Sequence, residues 1–335
     1  MTAGVVDAPA ESYGFLTRTR ILPGSPMQYR DLGRTGLKVS VLSQGGAAIG
    51  QQYGPVSLAE AADCVHAAID AGVNLIDTSA YYGEGKSEEA LGEILRGGWR
   101  EKVVLCTKAG RLARDRFDFS PAGMEASLDG SLKRLRPHCV DILLAHDIEY
   151  APDFDAVFTD TAAVLEKLKR KGKCRFVGMS CLPLGLLRQA IERCDLDAVV
   201  SYAHFTLQNT TLLDLLPAAE ARGVGVLNGS PLSLGLLTNQ GPPPWHPADS
   251  ELRAACAKAA ELCRSRGADI AFLGMQFCFA EGRIPSTITG TARRAELEVN
   301  LRAMTEPLDE QLVADVRAIL APVRNRVWPS GNWTE

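Results

Sequence analysis

Residues 73–108 read VNLIDTSAYYGEGKSEEALGEILRGGWREKVVLCTK, and this stretch decides the fold class. It begins with a short aliphatic run (73–77), continues with apolar residues at helical spacing (88–96) and ends with a second β-type run (103–108). A helix between two strands of one sheet carries the chain back to the edge where the first strand began, so the strands run parallel. The stretch therefore predicts a β-α-β unit.

The same alternation continues along most of the chain. The β-type runs start about 25 to 37 residues apart, except for a gap of about 60 residues before the last run. The eight predicted strands are 39–44, 73–77, 103–108, 140–146, 174–180, 198–202, 224–228 and 284–288. Because eight such units can close into a barrel, we predict an α/β protein with a (β/α)8 (TIM) barrel fold.

Helical periodicity between the strands supports this fold. A β-hairpin that turns at Thr35 and Gly36 is predicted ahead of the first strand, within residues 28–42. The long gap before the last strand is assigned to an insert at 235–250 and two helices. The helices whose bounds the periodicity gives are 58–71, 88–96, 122–135, 161–171, 184–193, 212–222, 251–266 and 294–304.

A doubly wound dinucleotide-binding fold is the alternative. GGAAIG at 45–50 resembles its glycine loop, and Asp77 ends the second strand, where that fold often has a ribose-binding acid. The glycines are spaced G-G-x-x-x-G rather than G-x-G-x-x-G, however, and the number of units fits a barrel better.

Composition limits the function classes. Residues 1–26 have no clear periodicity, so we predict a flexible N-terminal tail before a single barrel domain over residues 27–335. The net charge of −4 does not favour nucleic-acid binding, and no apolar run is long enough to span a membrane. Nine scattered cysteines indicate reduced thiols and a cytoplasmic protein, and the five histidines show no metal-binding spacing. The oligomeric state stays open.

Four reactive side chains fall at three consecutive predicted strand ends. Asp77 ends the second strand and Tyr82 follows it, Lys108 ends the third strand, and His146 ends the fourth. Barrel enzymes place their chemistry at this carboxyl end. A lysine ammonium lowers the pKa of a nearby tyrosine, an aspartate keeps that lysine charged, and a histidine can orient a substrate oxygen. Each residue alone has an ordinary structural explanation, such as a helix N-cap for Asp77, but together they predict acid/base catalysis paired with a hydride-carrying cofactor.

The motifs around these residues resemble those of the aldo-keto reductase family. The resemblance runs from about residue 29 to the C-terminus and implies an NAD(P)-dependent oxidoreductase. It implies that Tyr82 is the general acid/base and that Asp77, Lys108 and His146 complete the catalytic group. The motifs are DTSAYYG (77–83), LCTKAG (105–110), DILLAHDIE (141–149) and FVGMS (176–180).

The same resemblance implies a nicotinamide cofactor site. Ser180 would hold the carboxamide, but Cys181 stands where the family usually has asparagine, and Gly229 stands where it often has an aromatic residue. The loop that begins at Ser230 would cross the pyrophosphate, and the segment from Gly290 would hold the adenosine phosphate. The implied cofactor residues are Gly46, Ser180, Cys181, Ser230, Pro231, Leu232, Gly290, Thr291, Arg293, Glu296 and Asn300.

Glu296 stands where the family often has a basic residue for the 2′-phosphate of NADP. A carboxylate there would repel that phosphate and could accept a hydrogen bond from a 2′-hydroxyl. This favours NAD, whereas Arg293 and Arg294 favour the alternative, NADP.

Longer strings resemble the branch of the family formed by L-galactose dehydrogenases and bacterial L-fucose dehydrogenases. This implies oxidation of an aldopyranose at C1 to the lactone, with His204, Trp245 and Trp328 as candidate substrate contacts. Three alternatives stay open: a pyridoxal dehydrogenase, an NADPH-dependent aldehyde reductase, and a non-catalytic regulatory subunit that binds nicotinamide. The strings are AHDIEY (145–150), SYAHFTLQNTTLLDLLP (201–217), GLLTNQGPPPWHPA (235–248) and NRVWPSG (325–331).

Overall fold

Strands and helices alternate along the chain, which the computed structural model describes from residue 27 to residue 334. The predicted tail, residues 1–26, lies outside the described residues. The strands are β1 (Tyr29–Asp31), β2 (Lys38–Ser40), β3 (Leu42–Gly45), β4 (Leu75–Asp77), β5 (Val104–Ala109), β6 (Arg111–Ala113), β7 (Arg116–Phe117), β8 (Val140–His146), β9 (Cys174–Cys181), β10 (Ala198–Tyr202), β11 (Gly225–Gly229) and β12 (Ser286–Thr289). The helices are α1 (Leu58–Asp70), α2 (Lys86–Ile94), α3 (Pro121–Leu135), α4 (Phe154–Ala156), α5 (Ala162–Arg170), α6 (Leu184–Arg193), α7 (Leu212–Ala221), α8 (Ser250–Ser265), α9 (Ile270–Ala280), α10 (Arg294–Thr305) and α11 (Glu310–Leu320).

Eight of these strands form one closed parallel barrel, in the order β3-β4-β5-β8-β9-β10-β11-β12. β12 closes the ring by pairing with β3. β8 is buried along its whole length, as expected for a parallel strand that is covered on both faces. The predicted (β/α)8 barrel is confirmed.

The antiparallel pair β1–β2 forms the predicted N-terminal hairpin and closes one end of the barrel. Leu32 and Val39 of this hairpin are fully buried and join a core cluster with barrel residues that include Leu75. At Gly33, where φ is 50°, an added Cβ would lie 2.4 Å from the backbone nitrogen of Gly225, so a side chain there would prevent this close approach. The hairpin covers the end where the strands begin and leaves the carboxyl ends free for a site.

The first and last predicted barrel strands differ from the observed ones for local reasons. The predicted first strand, 39–44, is divided between the hairpin and the barrel, and the Ser40 N–H donates to the Asn74 side chain at 2.7 Å. The last strand begins at Ser286 rather than at residue 284, because Pro285 has no N–H to donate to a neighbouring strand.

Each of the eight predicted helical ranges matches a helix whose ends lie within two residues of the predicted ones. The second helix expected in the long gap is α9, whose bounds the periodicity could not give because its residues are apolar on nearly every side. The short helix α4, the helix α11 and the small hairpin formed by β6 and β7 were not predicted. The insert at 235–250 is irregular up to the start of α8. Among the helices of residues 27–334, none is both long and apolar enough to cross a bilayer.

Candidate active site

The four predicted reactive residues, here called the tetrad (Asp77, Tyr82, Lys108 and His146), come together at the open end of the barrel. Asp77, Lys108 and His146 lie on β4, β5 and β8, which are neighbours in the barrel. Tyr82 lies in the loop between β4 and α2. This loop is fixed by the next residue, a glycine with φ of 64°, at which an added Cβ would lie 2.2 Å from the Gly50 carbonyl oxygen. The site is therefore built on strand ends and one tightly packed turn.

The Lys108 ammonium links the other members of the site. Its Nζ donates to Asp77 Oδ2 at 2.6 Å, to the Thr78 carbonyl at 2.9 Å and to Tyr82 Oη at 3.1 Å. An ammonium has three hydrogens, so all of them are used. The Tyr82 oxygen accepts one of them, which leaves its own hydrogen free to be donated elsewhere.

The pKa of Tyr82 moves in the opposite direction from the sequence expectation. Burial raises this pKa, and although Lys108 opposes that effect, the pKa stays above its usual range. Burial is the largest cause, and Asp77, which pairs with the same ammonium, raises the pKa of Tyr82 further. Tyr82 is therefore a neutral phenol near neutral pH.

Lys108 stays charged inside this site. Burial lowers the pKa of Lys108, but the nearby Asp77 and Tyr82 outweigh that effect and raise it above the usual range. A buried ammonium needs such compensation to keep its charge, because transferring a charged group out of water is costly. Asp77 thus provides the counter-charge that the sequence analysis expected of it.

His146 is buried and neutral. Its Nδ1 forms a 2.8 Å hydrogen bond with Ser79 Oγ, and its ring lies edge-on to the Tyr82 ring at 5.7 Å between centroids. Burial lowers the pKa of His146 well below its usual value, and the cations Lys108 and Arg111 lower it further. The imidazole can therefore donate a hydrogen bond without carrying a charge.

An ion pair that the sequence did not predict lies beside this histidine. Arg111, at the start of β6, donates from Nη1 to Asp147 Oδ2 at 2.5 Å, and its guanidinium lies 3.9 Å from the centroid of the Tyr81 ring. Asp147 Oδ2 also lies 3.6 Å from His146 Nε2. A signal for Asp147 was available, since it directly follows His146 in the motif, but Arg111 belongs to the hairpin that was not predicted.

Two predicted cofactor residues lie on β9, next to the tetrad. Ser180 is paired with His146 across the sheet, and its Oγ accepts from the Asp147 N–H at 3.3 Å. The Cys181 thiol is buried and directed at the Pro183 carbonyl, with Sγ 3.3 Å from that oxygen. Burial raises the pKa of Cys181 well above its usual value, so it stays a thiol. A thiol held in this way cannot replace the amide of asparagine.

The loop after β11 contains Ser230, Pro231 and Leu232 and has an unusual backbone. Ser230, Ser233 and Leu234 have φ values of 50°, 48° and 53°, in the left-handed region that non-glycine residues rarely adopt. Such conformations are concentrated at ligand-binding loops. Asn228 Oδ1 and Ser233 Oγ are also buried without a hydrogen-bond partner among residues 27–334, which fits a polar ligand at this strand end.

The segment after β12 and the first two turns of α10 contain the remaining predicted cofactor residues except Gly46. Gly290 has open space around its Cα, and Thr291 Oγ1 donates to Gln44 Oε1 at 3.0 Å. Glu296 Oε2 accepts from the N–H groups of Ala292 and Arg293 at 3.1 and 3.3 Å, so this carboxylate caps the start of α10. Asn300 lies buried one turn further along.

Arg293, Arg294 and Gly46 have structural partners in the described chain. Arg293 donates to the Pro55 carbonyl at 2.8 Å, and Arg294 pairs with Asp63 and Glu298 on the surface. Gly46 donates to the Asp77 carbonyl at 2.7 Å, and an added Cβ there would lie 2.5 Å from Ser87 Oγ. Gly46 therefore lets the loop after β3 pack against the loop that contains Tyr82.

The three predicted substrate contacts have different surroundings. Trp245, in the insert, is 49% exposed and meets Tyr53 with 6.1 Å between ring centroids. Trp328 is buried and packs edge-on against His246 at 4.6 Å, as a core residue would. His204 is buried and bonded through Nδ1 to Thr211 Oγ1 at 2.8 Å, while its Nε2 has no partner among the described residues. Trp245 is therefore the one of the three that presents a ring at the surface.

The profile of the aldo/keto reductase family matches residues 41–321, most of the chain. This chain belongs to the aldo/keto reductase family. It is 41% identical over 314 residues to L-galactose dehydrogenase of Arabidopsis thaliana, which covers 91% of this chain and 98% of that protein. This aldo/keto reductase is also 32% identical over 281 residues to D-arabinose 1-dehydrogenase of Saccharomyces cerevisiae, covering 78% of this chain and 82% of the yeast protein.

A solved structure supports the fold of this aldo/keto reductase. The holo form of an aldo-keto reductase from Bacillus halodurans matches it with a TM-score of 0.73 at 20% identity, covering 92% of this chain and 100% of that one. The chain is thus an oxidoreductase, and membership of the family implies a nicotinamide cofactor.

Proposed function

We propose that this aldo/keto reductase oxidises an aldopyranose of the L-galactose or L-fucose type at C1 to the lactone, with NAD as the hydride acceptor. The observation that carries the proposal is the Lys108 ammonium, which holds Asp77 Oδ2 at 2.6 Å and Tyr82 Oη at 3.1 Å beside His146. The similarity to two enzymes named as sugar dehydrogenases supports the choice of substrate.

The tetrad supplies the proton chemistry of this reaction. C1 of a cyclic aldose carries one hydrogen and one hydroxyl group, and nicotinamide, when bound, accepts that hydrogen as hydride. Tyr82, ionised, takes the hydroxyl proton as the C1–O bond becomes a carbonyl. Lys108 stabilises the phenolate through its hydrogen bond to Tyr82 Oη, and Asp77 keeps Lys108 charged and in place. The reverse reaction uses Tyr82 as a phenol that donates its proton.

His146 orients the oxygen on C1 by donating a hydrogen bond to it. A neutral imidazole suits this role, because a cationic ring would place a third positive charge beside Lys108 and Arg111. The nearby rings of Tyr81 and Trp245 are candidates for stacking against the sugar, since sugar rings present apolar C–H faces to aromatic side chains.

In this proposal, the residues that would hold the cofactor lie at or just after the carboxyl ends of β9, β11 and β12. Ser180 would hold the carboxamide, Ser230 and its loop would bind the pyrophosphate, and the segment 290–293 with Asn300 would bind the adenosine phosphate part. The pairing of Ser180 with His146 supports this, because it puts the carboxamide site next to the tetrad. Glu296 supports NAD, because its carboxylate at the start of α10 would repel a 2′-phosphate.

Initial rates of nicotinamide reduction test the function. L-galactose, L-fucose, D-arabinose and pyridoxal would each be assayed with NAD and with NADP, and the product identified by NMR. We expect the highest kcat/KM for an L-sugar with NAD and a lactone product. A higher value for pyridoxal, or for aldehyde reduction with NADPH, would contradict the substrate assignment. Tight NAD binding without turnover of any substrate would instead indicate a regulatory subunit.

A further inference from the structure

Ser79 is a fully buried residue of the loop after β4 that touches the tetrad without belonging to it. Its Oγ lies 2.8 Å from His146 Nδ1 and 3.1 Å from the backbone nitrogen of Tyr81. The residue therefore stands directly behind the imidazole that faces Tyr82. In the proposed function, His146 donates a hydrogen bond to the substrate oxygen, and this requires the hydrogen to be on a particular one of its two ring nitrogens.

The hydrogens around Ser79 Oγ can be assigned from these contacts. A hydroxyl group has one hydrogen to donate and two lone pairs to accept with. The Tyr81 N–H donates to Oγ and so occupies one lone pair. Among the described residues, the acceptor in hydrogen-bond contact with the Ser79 hydroxyl is His146 Nδ1. If Nδ1 carried a hydrogen, the Ser79 hydrogen would be buried without an acceptor, which is unfavourable.

The opposite side of the ring leads to the same assignment. His146 Nε2 lies 3.6 Å from Asp147 Oδ2, a carboxylate oxygen that can only accept. A hydrogen on Nε2 is attracted to this oxygen, whereas an Nε2 lone pair would be repelled by it. A doubly protonated ring would carry a hydrogen on both nitrogens, but burial and the neighbouring cations Lys108 and Arg111 lower the pKa of His146 and disfavour it.

We infer that Ser79 is a positioning residue that fixes His146 as its Nε2–H tautomer, so that the hydrogen of the ring is available to the oxygen on C1 of the substrate. The use of that hydrogen rests on the proposed function, but the tautomer does not. A wrong tautomer would present a lone pair to the substrate oxygen, and the orienting hydrogen bond would be lost.

NMR of the 335-residue chain labelled with ¹⁵N-histidine tests the assignment. Two-bond correlations between ring nitrogens and ring hydrogens distinguish the two neutral tautomers, and the His146→Gln variant identifies the signals of His146. We expect the Nε2–H pattern in the unsubstituted protein. An Nδ1–H pattern there would overturn the inference without any need for a variant.

The Ser79→Ala variant tests the role of the hydroxyl. We expect its His146 signals to shift toward a mixture of tautomers and its kcat to fall about 10- to 100-fold, with the Kd for NAD nearly unchanged. The matched control is Ser286→Ala, which also removes a buried serine hydroxyl. The Ser286 hydroxyl donates to the Ser40 backbone carbonyl at 2.6 Å. That variant should leave the His146 pattern as it is.

The two readouts separate the inference from the proposed function. An unchanged His146 pattern in Ser79→Ala would overturn the role of Ser79, whatever the activity. An Nε2–H pattern that is lost in Ser79→Ala would support the inference even if none of the four assayed substrates were turned over, a result that would contradict the proposed function alone.

Discussion

At the scale of single residues, the chemistry of the site depends on the hydrogen bonds that the buried Lys108 ammonium donates to Asp77 and Tyr82. Lys108 bonds to Asp77 more closely than to Tyr82, at 2.6 Å against 3.1 Å. Burial is the main reason that the pKa of Tyr82 stays above its usual range, and the Asp77 carboxylate adds to that rise while Lys108 opposes it. Oxidation of an aldose needs tyrosinate, and the reverse reduction needs the phenol.

This balance predicts the pH dependence of the reaction. Because Tyr82 is mostly protonated near neutral pH, kcat/KM for aldose oxidation should rise as pH rises, by roughly tenfold per pH unit while the phenol dominates. Reduction of the lactone or of an aldehyde should not show this rise. Initial rates between about pH 6 and pH 10 would check the slope. A flat profile for oxidation would contradict the assignment of Tyr82 as the base.

Substitution of the same residue gives a second prediction. Tyr82→Phe should lower kcat by about 100- to 10,000-fold, because it removes the acid/base hydroxyl, while the Kd for NAD stays nearly the same. Tyr81→Phe is the matched control, since Tyr81 is adjacent in sequence and keeps its ring against the Arg111 guanidinium in this variant. It should lose far less activity. If Tyr82→Phe kept most of its activity, or Tyr81→Phe lost more, the wrong tyrosine would have been chosen.

At the scale of elements, α10 shows how one side chain can have two tasks. The Glu296 carboxylate accepts from the N–H groups of Ala292 and Arg293 and so caps the helix. In the proposed cofactor site, it also places negative charge where NADP would carry its 2′-phosphate. A substitution that removes both tasks would change stability and cofactor preference together, so a second variant is needed to separate them.

Glu296→Arg should shift the ratio of kcat/KM values toward NADP and should also destabilise the protein by about 1 kcal/mol through loss of the cap. Glu296→Gln removes the charge but can still cap the helix, since glutamine serves in the same position of a capping box. It should shift the cofactor ratio in the same direction with little change in Tm. An unchanged ratio in both variants would rule out the charge argument.

The elements also show what the sequence could predict. β8 and β9 could be predicted because each is a short β-type run bounded by helical patterns. Parallel strands place their carboxyl ends on one edge of the sheet. That rule alone predicts that Asp77, Lys108 and His146 lie close together. α9 could be expected but not delimited, because a helix that is apolar on nearly every side has no periodicity to read.

The remaining parts of the site depend on contacts between distant residues. Ser79 and His146 are 67 positions apart, and Arg111 reaches Asp147 from a hairpin with a weak strand pattern. No local pattern encodes which side chain lies behind a histidine. The pKa of Tyr82 likewise depends first on how deeply the fold buries the phenol, which spacing along the chain does not give.

At the scale of the whole molecule, the end of the described chain packs onto the barrel close to the site. Glu149, three residues after His146, is fully buried. Its Oε1 accepts from the Leu182 N–H at 3.2 Å and from the hydroxyls of Tyr202 and Ser330 at 3.0 Å each. Its backbone carbonyl accepts from the Asn332 N–H at 2.7 Å. One glutamate thus joins β9, β10 and the C-terminal segment.

This carboxyl group should make stability depend on pH. Burial raises the pKa of Glu149 to about 8, and the nearby Asp147 adds to the effect. In the unfolded chain the group ionises near its ordinary pKa of about 4.5. The neutral form therefore contributes stability that is fully present below about pH 4.5 and is lost as the pH rises to about 8.

Glu149→Gln removes the ionisation but keeps the shape and an acceptor oxygen for the same three donors. We expect the variant to gain stability relative to the unsubstituted protein as the pH rises from about 5 to about 8, because only the latter must keep a buried carboxyl group neutral in that range. Thermal unfolding at both pH values would measure this. The control is the partly exposed Glu125, whose pKa is lowered to about 2 by its hydrogen bonds to Lys171 and Lys167, so Glu125→Gln should give the same difference in Tm at both pH values. A difference for Glu149→Gln that did not change with pH would mean that this carboxyl group is already ionised in the folded protein.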